Sequence, residues 1–344
     1  MNTVDLPLHF ILCLERTGST MFATMLNSSE HVVAPVEDPF LLYFSSKYGK
    51  KTSWSRDDFS LFVEEFFLLQ DVNLSAYFIS KEEIKNQLYK LPENSNFLTV
   101  CKAIYLGFYK SKDKSKIEVI IDKQIKFSYH LKEIKPLLPE SKFCILIRDP
   151  VDTLASWRKR GMGKFSNALY LAEFWKLTYK KLWEFNEKYP TETMVVRYEE
   201  LATNPEKELK KVCEFFNIQF SSSMLNFNEN FNSFTKEAKN TSPKFIDYIE
   251  SFHSGLQEPA NIKNIGIGEH YFTKDEQQII RTHCREIANQ YGYNVKAASR
   301  TMTIWKPIIV FAARFKIYKL RFYRNLPFSL KKLIRKINPR VWPS

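Results

Sequence analysis

An α/β fold with a parallel central sheet flanked by helices is what this sequence predicts, and three observations predict it. Short continuous apolar runs, HFILCL at 9–14, IEVII at 117–121, FCILI at 143–147 and MVV at 194–196, have the composition of strands buried on both faces of a sheet. A segment of helical period follows each run, which is the β-α alternation of parallel strands joined by crossover helices. The third observation is composition. Of 344 residues 44% are hydrophobic, with 29 Phe, 17 Tyr and 6 Trp for an aromatic core, and this excludes disordered, collagen-like and disulfide-framework chains.

In chain order, the run at 9–14 is followed by the polar turn Arg16-Thr17-Gly18-Ser19-Thr20. Met21, Phe22, Met25 and Leu26 then recur at helical spacing, so strand, tight turn and helix succeed one another. Helical period returns at 57–70, 81–91 and 97–109, which makes a helical insertion at about 41–110 before the strand at 117–121. The strand at 143–147 leads into Arg148-Asp149-Pro150, where Asp149 suits a helix N-cap and Pro150 the first helical position. The strand at 194–196 precedes a helix running from Pro205 to Phe216. A polar stretch without clear period occupies 217–268, and Thr273 opens a further helix with Glu276 three residues on, the pattern of a capping box. The sequence has no internal repeat.

The five cysteines, Cys13, Cys101, Cys144, Cys213 and Cys284, lie far apart and form no CxxC pair, so buried reduced thiols in a cytosolic protein are expected. The apolar stretch at 6–14 has no preceding basic residues and runs into Glu15 and Arg16, which reads as a strand and not as a signal segment. No apolar run approaches the roughly 20 residues that span a bilayer. The net charge of +13 is unevenly placed: residues 300–344 carry 12 Lys and Arg and no Asp or Glu, so the first 299 residues are nearly neutral.

The turn at 15–20 carries the first candidate chemistry. Backbone N–H groups around Gly18, at the positive end of a helix dipole, form an anion site, with Thr17, Ser19 and Thr20 as hydroxyl donors and Arg16 as the charge. It is not a Walker A loop, since GxxxxGK[ST] is absent, and neither GMG at 161–163 nor GIG at 266–268 completes a GxGxxG pattern. The second element is the strand at 143–147 that delivers Arg148 at its carboxyl end, followed by a helix that places Ser156 about two turns on. Together they suit a second phosphate, with the guanidinium as a bidentate donor.

At these residues the chain resembles the sulfotransferase family that uses 3′-phosphoadenosine-5′-phosphosulfate (PAPS). That family has a strand–RxGST–helix loop for the 5′-phosphosulfate, and a strand ending in RDP or RNP, with a Ser eight positions after the Arg, for the 3′-phosphate. The resemblance implies a P-loop-like fold in which Arg16, Thr17, Gly18, Ser19 and Thr20, with Met21 next in line, hold the 5′ end. Arg148 and Ser156 then hold the 3′-phosphate. The run Val196-Arg197-Tyr198-Glu199-Glu200-Leu201, followed by Asn204-Pro205, resembles the family's VRYEDL-x-x-x-P segment and implies that Tyr198 lies against the adenine. Residues 265–293 resemble its C-terminal stretch, with Gly268 in place of the usual Trp and with Ile267, Glu269 and His270 where basic residues are usual. The segment that closes over the nucleotide near 261–272 is therefore left without assigned residues. The resemblance covers roughly 8–293 and divides the chain into a sulfotransferase domain at 1–299 and a basic aromatic tail at 300–344.

Sulfuryl transfer needs a cation at the leaving phosphate and a base for the acceptor hydroxyl. Lys123, in Asp122-Lys123-Gln124 after IEVII, emerges at a strand's carboxyl end and stands where the resemblance places the lysine that assists the bridging oxygen; a solvated surface lysine is the competing reading. For the base, the His that some members carry two positions on is Ile125 here. Other members, of protein-tyrosine and bacterial glycolipid type, use a Glu soon after the first helix, where Glu37 falls. Asp38 is the neighbouring alternative, and His31 and His130 rank below it. Arg16 completes the catalytic set. No metal constellation such as HExxH appears, and PAPS-dependent transfer needs none.

The expected function is transfer of the sulfuryl group from PAPS to a hydroxyl of a carbohydrate or glycolipid, leaving adenosine 3′,5′-bisphosphate. The alternative is a non-catalytic, membrane-associated nucleotide-binding module of the same fold, and a kinase ranks third because the Walker lysine is missing. The tail mixes Trp, Phe, Tyr, Ile and Leu with Lys and Arg, which suits a helix lying on an anionic membrane, and equally a helix packed on the core with a solvated basic face. No nucleic-acid partner is expected. The expected location is cytoplasmic, peripheral on the inner face of the membrane if the tail binds there.

Overall fold

Strand β1 (Leu8–Cys13) is fully buried and lies at the centre of a five-stranded parallel sheet of order β2-β3-β1-β4-β5. The other strands are β2 (Val32–Val33), β3 (Val119–Lys123), β4 (Phe143–Ile147) and β5 (Thr193–Arg197). The computed structural model describes residues 6–35, 37–70, 80–108, 112–161, 167–231, 254–296, 306–324 and 326–337. Part of the predicted insertion (71–79), the end of its third helix (Tyr109), the middle of the irregular stretch (232–253) and both ends of the tail (300–305 and 338–344) lie outside them.

The chain winds to one side of β1 for β2 and β3 and to the other for β4 and β5. The crevice where these connections part therefore opens above the carboxyl end of β1, which is where open parallel sheets bind ligands. Alternation along the strands sends Phe10, Leu12, Ile120, Phe143, Ile145 and Ile147 to one face and Ile11, Cys13, Val119, Ile121, Cys144 and Leu146 to the other. The first face is covered by α5 (Phe97–Gly107), α8 (Ala168–Lys188) and α12 (Lys274–Gln290), the second by α1 (Ser19–Asn27) and α10 (Pro205–Phe216). Each large apolar side chain buried this way contributes about 1.5–3 kcal/mol of transfer free energy. All five cysteines are buried free thiols.

The insertion consists of α2 (Phe40–Tyr48), α3 (Arg56–Gln70), α4 (Lys81–Leu88) and α5, packed through Phe44, Tyr48, Trp54, Phe62 and Phe97. Helix α6 (Leu131–Ile134) follows β3, α7 (Pro150–Lys159) follows β4, and α9 (Tyr198–Thr203) follows β5 directly. Near the C-terminus α11 (Gly268–Tyr271) precedes α12, and the tail forms α13 (Lys306–Arg324) and α14 (Phe328–Ile337). Caps start α7 and α12 where the sequence predicts. The Asp149 carboxylate accepts from Val151 N at 2.8 Å with Pro150 in the first turn, and Thr273 and Glu276 close a reciprocal capping box.

Two boundaries differ from expectation. Strand β3 starts at Val119 and ends at Lys123, shifted from the predicted 117–121, because the N–H groups of Glu118 and Val119 both donate to His31 O and the ladder with β1 pairs Ile11 with Lys123. Strand β2 is not predicted at all. Its two residues carry no period, and only pairing of Val32 with Val119 and Val33 with Ile120 makes them a strand.

The tail packs on the body through buried acids. Arg314 Nε lies 2.7 Å from Glu173 Oε1 on α8, whose other oxygen is 2.5 Å from His283 Nε2. Lys332 Nζ is 2.6 Å from Glu65 Oε1 on α3, and Glu65 also accepts from Lys47 Nζ at 2.7 Å and Tyr48 Oη at 2.8 Å.

Candidate active site

Above the carboxyl end of β1 the chain turns sharply, with Arg16 at φ 66° and Gly18 at φ 86°. Gly18 is also the residue before α1, which has no side-chain cap, so the first N–H groups of that helix are left to face an anion. The turn is held from below: Thr17 Oγ1 donates to Leu14 O at 2.9 Å, and Trp157 Nε1 donates to Glu15 O at 2.9 Å. Only glycine fits at position 18, because a Cβ there would lie 2.5 Å from Cδ2 of Tyr198 in addition to the backbone strain. The loop and the ring from α9 are thus in direct contact. Ser19 and Thr17 are buried, while Arg16, Thr20 and Met21 are partly exposed on the crevice side.

The second predicted element meets the first. Arg16 Nε donates to Ser156 Oγ at 3.3 Å, and Arg148 Nη1 donates to Arg16 O at 3.1 Å. The Arg148 guanidinium carbon stands 4.6 Å from the centre of the Tyr198 ring, a cation–π contact, and Arg148 Nη2 reaches Asn264 O. The base of this arginine is fixed as well, since Trp175 Nε1 on α8 donates to Arg148 O at 3.2 Å. Arg148 and Ser156 are both buried, and Arg148 Nε has no hydrogen-bond partner among the described residues. Two arginines, a serine hydroxyl, a glycine turn and an aromatic face thus converge from four separate segments. This donor set suits a nucleotide with two anionic ends, because phosphate oxygens accept from the guanidinium groups and turn N–H groups while a base covers an apolar ring.

Lys123 and Glu37 come together on the other side of the loop. The buried Lys123 ammonium donates to the Glu37 carboxylate, which is about a quarter exposed. Asp38 is fully buried, whereas the neighbouring Glu37 carboxylate keeps some exposure. Behind them Asp122 accepts from Tyr105 Oη at 2.6 Å and from Gln124 Nε2 at 3.1 Å, and burial pushes its carboxyl up to about 8. His31 lies before β2 at the opposite, amino end of the sheet, 3.0 Å from Lys116 O. His130 is buried with Nδ1 3.8 Å from Glu133. Neither histidine joins the crevice group.

Residues 7–222 match the sequence model of the sulfotransferase family, well over half of the chain. The chain belongs to the sulfotransferase family. Two solved sulfotransferase domains share its fold. One is the domain of the Synechococcus PCC 7002 olefin synthase, with a TM-score of 0.55 at 17% identity, covering 84% of this chain and 96% of that one. The other is the domain from the curacin biosynthetic pathway, with a TM-score of 0.51 at 16% identity, covering 85% and 99%. No curated protein sequence matches the chain.

Within this sulfotransferase, two groups are absent from the sequence reading. Lys126, three residues after Lys123, is partly buried and donates to Tyr43 Oη on α2, with its ammonium 5.0 Å from that ring's centre. Desolvation pushes its basicity down, opposed by the charges of Glu37, Glu15 and Asp38 nearby. The other is Asp152, whose two oxygens accept from Gly266 N at 2.7 Å and Gly268 N at 2.9 Å. This clasp brings the 264–268 turn onto α7. A Cβ at Gly268 would sit 2.5 Å from Val151 Cγ1, so this turn packs on α7 too closely for a side chain at that position. Glu199 ties the same corner, accepting from Asp149 N at 2.8 Å and from Tyr293 Oη at 2.7 Å. Single acidic or basic residues carry no spacing signal, and only the i,i+3 relation of Lys123 and Lys126 hinted at a second cation. Among the described residues no cluster of three or more His, Cys, Asp or Glu is placed to hold a metal ion.

Proposed function

We propose that this sulfotransferase uses PAPS as donor and transfers the sulfuryl group to a hydroxyl of a carbohydrate or glycolipid, leaving adenosine 3′,5′-bisphosphate. The observation that carries the reading is the contact of Arg16 with Ser156, Arg148 and, through Gly18, Tyr198, which joins two anion sites across one aromatic face. Thr17, Gly18, Ser19, Thr20, Met21 and Arg16 take the 5′ end, Arg148 and Ser156 the 3′-phosphate, and Tyr198 the adenine.

Glu37 takes the acceptor proton as the hydroxyl oxygen forms its bond to sulfur, and the bond from sulfur to the bridging oxygen breaks in line. The electron pair of that bond stays on the phosphate, where Lys123 and Arg16 neutralise the developing charge. Lys123 is paired with Glu37 at rest, which fixes the position of the carboxylate beside the cation. Asp38 is the less suitable base, since its carboxylate is sealed from solvent. We place the enzyme in the cytoplasm with its tail against the inner face of the membrane; no described helix is long and apolar enough to cross one.

The test is incubation of the purified protein with sulfur-labelled PAPS and glycan or lipid extracts. Labelled product is expected from the wild type, and Glu37→Ala and Lys123→Ala are expected to lose turnover by about 100-fold or more while binding adenosine 3′,5′-bisphosphate. Tight binding of the bisphosphate without label in any acceptor of a broad panel would favour a non-catalytic nucleotide-binding module instead.

A further inference from the structure

Helix α13 is two-faced. Ala313 is fully buried where the helix packs on α8, and Arg314 beside it reaches Glu173. Half a turn away, Ile308, Phe311, Phe315, Tyr318 and Phe322 are between 60% and 69% exposed. They are spaced three, four, three and four residues apart, so they form one continuous stripe. The rings of Phe311 and Phe315 stack at 6.3 Å. Leu330, Leu333 and Ile337 of α14, exposed as well, repeat the same spacing. A contiguous apolar surface of this kind on a folded body marks an interaction site.

The charge around the stripe selects the occupant. Every charged residue from 300 to 344 is Lys or Arg. Pairing this face with the same face of a second copy would set like charges against each other, although the spacing itself is that of a helix–helix seam. A surface of anionic headgroups over acyl chains matches both features, since aromatic and branched side chains enter the headgroup boundary and the cations meet the lipid phosphates. The helix lies on such a surface, because it is too polar to cross it.

We propose that the outward faces of α13 and α14 dock this enzyme on an anionic lipid surface. The two helices are attached to the body at separate points. Glu173, which holds α13, is two residues from Trp175, whose indole donates to Arg148 O at the donor site. Glu65, which holds α14, accepts from Tyr48 at the end of α2, and that helix begins immediately after Glu37, Asp38 and Pro39. Docking itself stands apart from the transfer reaction and is read without it.

Flotation of the full chain with vesicles tests this, using phosphatidylcholine alone and phosphatidylcholine mixed with phosphatidylglycerol. The wild type is expected to float with the mixed vesicles and about tenfold less with the neutral ones. The variant Phe311→Ser/Phe315→Ser/Tyr318→Ser is expected to stay at the bottom with an unchanged melting temperature. A Phe315→Trp variant gives an independent readout: its fluorescence should be quenched by brominated acyl chains in mixed vesicles. Equal flotation of wild type and triple variant, failure of the wild type to float, or unquenched Trp fluorescence overturns the proposal. So does a wild-type dimer in sedimentation velocity that the triple variant dissolves, which would assign the stripe to a second copy. Flotation without any labelled product leaves docking standing and removes the transfer function.

Discussion

Asp122 shows how a single buried group sets a pH dependence. Its carboxyl is raised by burial to about 8 in the folded protein from 3.8, while Tyr105 and Gln124 donate to it. The folded state then binds more protons than the unfolded one between these values, so stability is full at low pH and is lost as pH rises through the folded value. The slope is at most about 1.4 kcal/mol per pH unit. Asp122→Asn removes the titration and keeps one acceptor, so urea unfolding at about pH 5 and about pH 8 is expected to give a flatter stability profile for the variant, and parallel profiles would refute it. Legibility at this scale depended on whether the chemistry is local. Arg16, Gly18, Arg148 and Ser156 were readable because turn, strand end and helix spacing fix their positions within a few residues of chain. Tyr43, Lys126 and Asp152 were not, since each acquires its partner from a segment remote in sequence.

At the scale of elements, the caps and buried strands follow directly from sequence. Pro150 after Asp149 and Thr273 with Glu276 start α7 and α12 where expected, because a cap is a contact among residues three apart. The start of β3 and the existence of β2 depend on pairing with other strands, and no local period encodes that. The clasp from α7 to the 264–268 turn is of the second kind. Asp152→Ala leaves the N–H groups of Gly266 and Gly268 without their acceptor, at a cost of about 1–3 kcal/mol for the buried Gly268 N–H, while water can replace the acceptor at the exposed Gly266. The turn that places Asn264 O against Arg148 is then expected to loosen, and calorimetry should show adenosine 3′,5′-bisphosphate binding about tenfold weaker, with α7 itself retained because Asp149 still caps it. Unchanged affinity would show that the turn plays no part in holding the nucleotide.

Across the whole molecule, the tail and the body are joined by charges that neither half supplies alone. Glu173 is buried between His283 and Arg314, and Glu65 between Lys47, Tyr48 and Lys332. Because Arg314 remains half in water, its pairing with Glu173 is expected to be worth about 1 kcal/mol and not the several of a fully buried pair. A double-mutant cycle of Arg314→Ala and Glu173→Gln, read by urea denaturation, measures it, and additive effects would mean that this pair contributes nothing to holding α13, leaving packing around Ala313 to do so. By itself the sequence determined the parallel α/β fold, the family and the concentration of positive charge in the tail, because apolar runs, turn chemistry and composition are properties of short stretches of chain. Only the tertiary structure decided that Glu37 pairs with Lys123 while Asp38 is buried, that Lys126 reaches Tyr43, and that the tail turns one face to α8 and its aromatic stripe outward. Those outcomes are set by burial and by contacts between segments tens to hundreds of residues apart, which only the folded packing brings together.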